Sequence, residues 1–416
     1  MSDPIAPPGK KNPQRRTDVP NTPPPQRSRA ALGLAAAAAE GRFMLQVCGS
    51  CGEVQYPPRD ACSKCLSVDL NWRDVSPHGK LIAETKVRAT TDLYFRKQTP
   101  VRVGTVKLDV GPSVICHVHG DVGADETVRL AIKLDRAGQG VMMALPAEET
   151  PFMDDDPRLR ETSCTPKHRR ILLTDARNPN APAIAGALKS AGAEKIFVGL
   201  SEDWRPNRYH DDIMAVTGVE MLPLDVTDSK SVEELAAELG GKTDILVNNA
   251  RYVRPGGLIA RGDTVFAQNE MDVNYLGLMR LAQAFGPAMC ARTADGTNSA
   301  VAWVNILSAY ALVNSPDYGC FSASNAAAFS LSQNMRADFR TSGLRVLNVF
   351  VGPTDDDWHQ ELPPPKVPAK TLAGSLVQGL VDGLEDVYCG DVAKDMIERF
   401  RASPKIQERE MTGFRS

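Results

Sequence analysis

Short apolar runs of strand length fall into two regions of the chain that differ in what separates them. From Lys80 to about Leu145 the runs KLIAETKVRA, VRVGTVKLDV, PSVICHVHGDV, TVRLAIKLD and GVMMAL are joined by brief glycine-bearing turns. This pattern predicts a small barrel of short strands. After Arg169 the runs RILLTDA, KIFVGL, VEMLPLDV, DILVNNA, AVAWVNILS and RVLNVFV alternate with longer segments of helical character. Examples are PAIAGALKSAG, SVEELAAELG, MDVNYLGLMRLAQAF and ASNAAAFSLSQNMRADFR. Strand–helix alternation predicts an α/β fold with a parallel, doubly wound sheet.

The connecting segments set the boundaries. Residues 1–29 are rich in proline and basic residues and too polar to bury a core, which predicts a disordered tail. Residues 30–147 would form a leading alanine-rich helix, a cysteine-bearing segment and the barrel. An acidic, proline-containing linker is expected over 148–168, the α/β domain over 169–398, and a short tail over 399–416. The 416 residues carry a net charge of −3, so nothing in the overall balance favours nucleic acid or an anionic membrane as partner. No apolar run approaches the ~20 residues that span a bilayer, and no apolar core of a signal peptide is present, which implies a cytoplasmic protein.

Four of the nine cysteines form two C-x-x-C pairs, Cys48/Cys51 and Cys62/Cys65. Two such turns can aim four thiolates at one tetrahedral ion, which predicts a structural zinc with no open position for a reacting water. Cys116, His117 and His119 lie close together in the barrel region. Strand alternation puts the two histidines on one face and the cysteine on the other, so an ordinary barrel wall is expected there. Tyr94 and Phe95 beside Arg96 and Lys97 are too few for a nucleic-acid platform.

The leading helix, RFMLQVCGSCGEVQYPPRDACSKC with its Tyr56-Pro57-Pro58-Arg59, and the NWRDVSPHGKLIAETKV entry to the barrel carry a resemblance. Over residues 30–147 the chain resembles the zinc-ribbon/OB-fold proteins associated with acyl-CoA metabolism. That resemblance implies an accessory subunit docked on a thiolase-fold enzyme or related carbon–carbon lyase, with acyl-CoA as a possible ligand.

A second resemblance covers residues 169–395. Leu224-Asp225-Val226-Thr227-Asp228, the Asp244–Ala250 strand, Asn274, Ser308 and GLEDVYCGDVA resemble short-chain dehydrogenases/reductases. The glycine-rich cofactor loop of that family reads here Thr174-Asp175-Ala-Arg-Asn-Pro179-Asn-Ala181. Without the glycines a dinucleotide backbone loses its close approach, and Pro179 removes a donor. Arg251 replaces the glycine of N-N-A-G, although phosphate binding by Arg177 or Arg251 would offer a rescue. The resemblance makes Asp225 and Asn248 cofactor-site remnants, with Asp225 also able to cap the helix that follows. The catalytic tyrosine and lysine positions are Phe321 and Asn325. No lysine occurs between Lys242 and Lys366, and Tyr310 and Tyr318 have Asn314 and Ser322 at +4. Asn274 and Ser308 survive without their partners, so neither catalysis of the family's kind nor NAD(P) binding is expected.

The leading expectation is therefore a non-catalytic scaffold subunit of an acyl-CoA-processing complex. It would pair through its pseudo-dehydrogenase half with an active dehydrogenase or a second copy of itself. Two alternatives are a divergent NAD(P)-dependent oxidoreductase acting on an acyl-CoA-like ketone or alcohol, and an acyl-CoA-binding module.

Overall fold

The computed structural model describes residues 2–7, 20–25, 28–292 and 299–413. The chain divides into two compact units, with the main boundary between Thr165 and Pro166. Much of the expected 1–29 tail lies outside the described residues. Its described stretches carry no helix or strand before Arg29, which begins a 3-10 turn (Arg29–Ala31), but Ser2 Oγ donates to Asp121 at 3.1 Å and Pro24 O accepts from Gln139 at 3.0 Å.

In the first unit, α1 (Leu32–Ala39) leads into a three-stranded antiparallel ribbon of β1 (Met44–Cys48), β2 (Val54–Gln55) and β3 (Leu70–Asp74), in the order β2-β1-β3. Next come β4 (His78–Val87), α2 (Leu93–Arg96), β5 (Val101–Leu108), β6 (Ser113–Val118), β7 (Thr127–Leu134) and β8 (Gly140–Pro146). The five strands close as β4-β5-β6-β8-β7, with β6 and β8 parallel and the other pairs antiparallel. Closure removes both sheet edges. The period-2 pattern of β7 shows how the core is built: Val128, Leu130, Ile132 and Leu134 point inward, where they meet Leu34, Ala37 and Ala38 of α1. Gly140 is required at that junction, because a Cβ there would lie 2.7 Å from the backbone of Leu34.

The expected linker is largely folded. Through Thr165 it belongs to the barrel unit, and it contains α3 (Pro157–Thr162). The Asp156 carboxylate caps this helix, accepting from Arg158 N at 2.8 Å and Leu159 N at 3.1 Å. It also accepts from Gly120 N at 2.9 Å, while Leu159 packs on Met143 and Leu145. Proline at N1 and aspartate at the N-cap are helix-start signals that the acidic composition of the stretch obscured.

The second unit begins with β9 (Arg170–Leu173), α4 (Ala181–Ser190), β10 (Lys195–Leu200), α5 (His210–Met214), β11 (Val219–Pro223), α6 (Ser229–Leu239) and β12 (Ile245–Asn248). It continues through α7 (Val265–Met271), one π-helical stretch (Asp272–Leu276), α8 (Gly277–Ala291), β13 (Ala302–Ser308), α9 (Gly319–Phe339) and β14 (Arg345–Val351). The last elements are α10 (Ala369–Asp382), β15 (Asp386–Cys389), α11 (Gly390–Ala402) and α12 (Pro404–Met411).

The parallel sheet has seven strands in the order β11-β10-β9-β12-β13-β14-β15. The six expected strands are present, and β15 adds a seventh at the edge. Leu172, Leu246 and Trp303 from the sheet pack against Leu278, Leu281 and Phe285 of α8 and Met335 and Phe339 of α9. The expected tail from 399 onward is helical as far as Met411, and Phe400 and Met411 pack against the cluster around Tyr310 and Phe321. Strand order reverses between β9 and β12, so the loops after β9, β10, β12, β13 and β14 frame the crevice where open α/β sheets hold ligands.

Candidate functional site

The four ribbon cysteines converge. Their Sγ atoms all lie within 4.8 Å of one another, with Cys48–Cys65 and Cys51–Cys62 both at 3.6 Å. Four thiolates at Zn–S distances of about 2.3 Å on a tetrahedron stand roughly 3.8 Å apart, so the donor set fits one zinc. Each pair sits on a tight turn: Gly52 N donates to Cys48 O at 2.9 Å, and Leu66 N to Cys62 O at 3.0 Å. Both turns end in positive φ, at Gly52 (74°) and Leu66 (63°). Burial works to raise the Cys48 thiol, but the backbone N–H groups of Cys51 and Ser50 outweigh it and lower the thiol, and Cys62 is lowered as well, whereas Cys51 and Cys65 are raised beside their neighbouring thiols. This is the one cluster of potential metal ligands among the described residues. Cys116, His117 and His119 do not join into another. Cys116 Sγ faces Gly104 O, His117 Nε2 faces Arg158, and His119 Nε2 faces Met153 O at 3.0 Å.

In the second unit the crevice at the switch point is closed by the loops that frame it. After β9, Thr174 Oγ1 donates to Asn248 Oδ1 at 3.0 Å, and Asp175 N donates to Asn249 Oδ1 at 2.8 Å. Asn178 Nδ2 donates to Asn249 O at 2.6 Å, and its own Oδ1 accepts from Asn180 N at 2.9 Å. Side chains thus occupy the turn between Pro179 and Ala181 that glycines would leave open. The Arg177 guanidinium is spent on carbonyls of the loop after β10: Ser201 at 2.9 Å, Glu202 at 2.7 Å, Arg205 at 2.8 Å and Pro206 at 3.2 Å. Burial pushes the Asp175 carboxyl up to about 6, against the opposing pull of Arg177.

Arg251, after β12, reaches the loop after β14. It donates to Asp356 Oδ2 at 2.6 Å and Thr354 Oγ1 at 3.1 Å. Asp356 also holds His359 Nδ1 at 2.9 Å and accepts from Trp358 N at 3.0 Å. Burial opposes ionisation of Asp356, yet the bond to His359 and the Arg251 charge win and hold the carboxyl well below the usual range. A pocket lined by Asn178, Asn180, Arg251, Ser308, Phe321 and His359 has about 10 Å³ of room for water centres. Both arginines considered as phosphate ligands are therefore engaged by protein.

The degenerate catalytic positions are equally occupied. Phe321 is buried beside Tyr318, with ring centroids 6.4 Å apart. Asn325 accepts from Ser308 N and donates to Phe321 O, both at 2.9 Å. Asn274, on the π-helical stretch, clamps Tyr252 by accepting from its N–H at 2.8 Å and donating to its carbonyl at 2.9 Å. Ser308 Oγ accepts from Tyr310 N at 3.1 Å. Asp225 forms a turn with Thr227 N at 2.8 Å and does not cap α6; Asp228 does so, through Lys230 N at 3.0 Å. Sequence reasoning missed Asp356 and His359 altogether, because TDDDWHQE carries no periodicity or spacing that singles out one aspartate or one histidine.

Family models match three segments. Residues 35–70 match the rubredoxin-like zinc ribbon domain of ChsH2, residues 72–135 the C-terminal OB-fold domain of ChsH2, and residues 181–385 enoyl-(acyl carrier protein) reductase. The last match begins at Ala181, just past the loop that lacks its glycines. A short-chain dehydrogenase of Penicillium ochrochloron is 35% identical over 138 residues, 32% of this chain and 47% of that protein. The chain thus spans about half the length of that relative. An uncharacterized oxidoreductase of Staphylococcus aureus is 26% identical over 191 residues, covering 44% of this chain and 77% of its own. Among solved structures, a short-chain dehydrogenase from Burkholderia cenocepacia in complex with NADP superposes with a TM-score of 0.52 at 26% identity. That match covers 58% of this chain and 97% of the other. Among the described residues no helix is long and apolar enough to cross a membrane.

Proposed function

For a chain that joins a ChsH2-type zinc ribbon and OB-fold to a short-chain-dehydrogenase-like Rossmann domain, we propose the role of an accessory subunit in an acyl-CoA-processing complex, without dehydrogenase activity of its own. The observation that carries this reading is the Arg251–Asp356–His359 network, which ties the loop after β12 to the loop after β14 beside Ser308. On this reading the network stands where a nicotinamide ring would have to lie. The first unit would dock a thiolase-fold enzyme or related carbon–carbon lyase, and the second would pair with an active dehydrogenase or a second copy. Affinity purification of the tagged chain from its own host, with mass spectrometry and sizing, tests this. Stoichiometric recovery of a thiolase-fold protein is expected, and recovery of the chain alone as a monomer would overturn the reading.

A second reading is favoured by the Burkholderia short-chain dehydrogenase in complex with NADP, which matches 58% of this chain at 26% identity. In it the chain is a divergent NADP-dependent oxidoreductase whose crevice opens on binding. A saturable thermal shift with NADPH would select this reading. The absence of any shift at millimolar cofactor selects the first.

A further inference from the structure

The barrel closes on β4 only through the first part of that strand. β4 pairs with β7 over His78–Lys80, and Leu81 N donates to Glu126 O at 3.0 Å, whereas its pairing with β5 runs from Gly79 to Val87. The register with β5 slips between Leu81 and Ala83, which puts Ile82 in a bulge where the pairing with β7 has ended. From there to Val87 the strand is one arm of a two-stranded ribbon. Among the described residues no strand pairs with the outer edge of that arm. All six residues from Ile82 to Val87 are exposed, so neither face of the arm is covered. An edge of this kind carries a row of unused N–H and C=O groups, which is a template for another strand.

The order of charges along the edge selects what can pair with it. A lysine on an edge ordinarily keeps other strands away. Here Lys86 lies two residues from Glu84 and therefore on the same face. Glu84 binds Arg102 through one carboxylate oxygen, and Lys86 has no ion partner among the described residues. A two-fold axis normal to the ribbon runs two copies of β4 antiparallel and keeps each face on its own side, so only residues an even number of positions apart meet. Centred on Thr85, the axis sets Glu84 against Lys86 of the second copy, twice over by symmetry. It also sets Ala83 against Val87 of the second copy, and Ile82 against the stem of Arg88 of the second copy. Centred on either neighbour, Glu84 or Lys86, the axis brings like charges face to face. Farther along it opposes Lys86 to Arg88, and farther back it runs into the stretch already paired with β7.

We propose that this edge is a self-association site, at which two copies of the chain pair antiparallel through Ala83–Val87 and join their β4–β5 ribbons into one four-stranded sheet. Main-chain hydrogen bonds supply the attraction, and the opposed Glu84 and Lys86 side chains fix the register. Thr85 and Val87 are β-branched and suit a paired strand. The same edge serves both copies, so the contact closes at two and does not propagate into a fibre. Five residues a side make a small contact, and its charge pairs lie in solvent; the pairing is therefore concentration-dependent and weakened by salt. It involves the first unit alone and does not rest on the accessory-subunit reading.

The test joins two measurements on the purified full chain. The Thr85→Cys variant is treated with a short bis-maleimide and mapped by peptide mass spectrometry, with the parent chain treated alike to set the baseline from its native cysteines. A covalent dimer linked through position 85 of both copies is expected. Sedimentation over a range of concentrations then compares the wild type with Lys86→Glu and Glu84→Lys, with circular dichroism confirming each fold. Either change turns both charge pairs repulsive and should weaken self-association about tenfold or more. Mixing the two variants opposes unlike charges again and should restore pairing as a heterodimer. A monomer at every concentration, or a dimer that gives no link through position 85, overturns the proposal; the latter is what pairing through the second unit alone would give. Folded variants that associate as the wild type does, or that fail to recover on mixing, overturn it as well. None of these readouts needs a thiolase-fold partner, so failure of the accessory-subunit reading leaves them interpretable.

Discussion

Removing the Arg251 guanidinium while keeping its volume, as in Arg251→Met, isolates the charge that closes the crevice. Its side chain is 15% exposed and that of Asp356 2%, with 2.6 Å between them. Breaking a buried pair from one side costs about 3–5 kcal/mol, because the remaining charge stays buried. Asp356 would still hold His359 at 2.9 Å and Trp358 N at 3.0 Å, which moves the expectation below that range, to about 2–3 kcal/mol. For a unit of this size that corresponds to a fall in Tm of roughly 4–12 °C. Urea unfolding followed by near-ultraviolet circular dichroism and Trp fluorescence reads it. In the double variant Arg251→Met/Asp356→Leu the carboxylate left unpaired by the first change is gone, and a good part of the loss should return. The pH dependence supplies a sign. Asp356 has a lowered folded-state pKa, so its contribution is present above the unfolded carboxylate pKa of about 4 and is lost as pH falls through the lower folded value. The gap between wild type and Arg251→Met should therefore narrow below pH ~4. A loss under about 1 kcal/mol, or a gap that is constant with pH, would refute the account of the network.

Restoring both family residues with Phe321→Tyr/Asn325→Lys should yield no NADPH oxidation with ketone substrates, because Arg177 and Arg251 stay bonded to neighbouring loops and the cofactor loop still lacks its glycines; measurable turnover by absorbance would contradict that. Asp175→Asn removes a carboxyl whose folded pKa is raised to about 6 by burial, and such a group loses stability as pH rises from its unfolded value through 6. The variant should gain about 1–2 kcal/mol at pH 7, less than the full shift implies because the residue keeps some exposure, and nothing at pH 4, by urea unfolding at both pH values. Cys48→Ser should lower zinc content by elemental analysis and melt the first unit at lower temperature. A structural zinc site contributes on the order of 10 kcal/mol of binding free energy that is also folding free energy.

What the sequence disclosed followed from pattern, and what it hid depended on distant pairing. Strands such as Lys195–Leu200 and Arg345–Val351 were legible to the residue because buried parallel strands are continuous apolar runs. The zinc donors were legible because spacing alone sets their geometry. Asp386–Cys389 was not separated from its surroundings, since a four-residue edge strand offers too little periodicity. The 148–168 stretch looked like a linker because acidic residues dominate it, yet Asp156 and Leu159 fold it onto the barrel. Arg251 was legible as an obstruction. Its partner 105 residues later was not, because nothing local in Thr354–His359 says which of three consecutive aspartates will meet it.

The Arg251–Asp356 contact also bears on how this crevice can change over generations. Replacing Arg251 by glycine alone strands a buried carboxylate, and replacing Asp356 alone strands a buried guanidinium. Either step precedes any gain of a cofactor path, which further requires Arg177 and Asn178 to give up their bonds to neighbouring loops. Single substitutions thus lead downhill in stability before they lead anywhere useful. The closed crevice behaves as a ratchet, held by the order in which its residues would have to be exchanged.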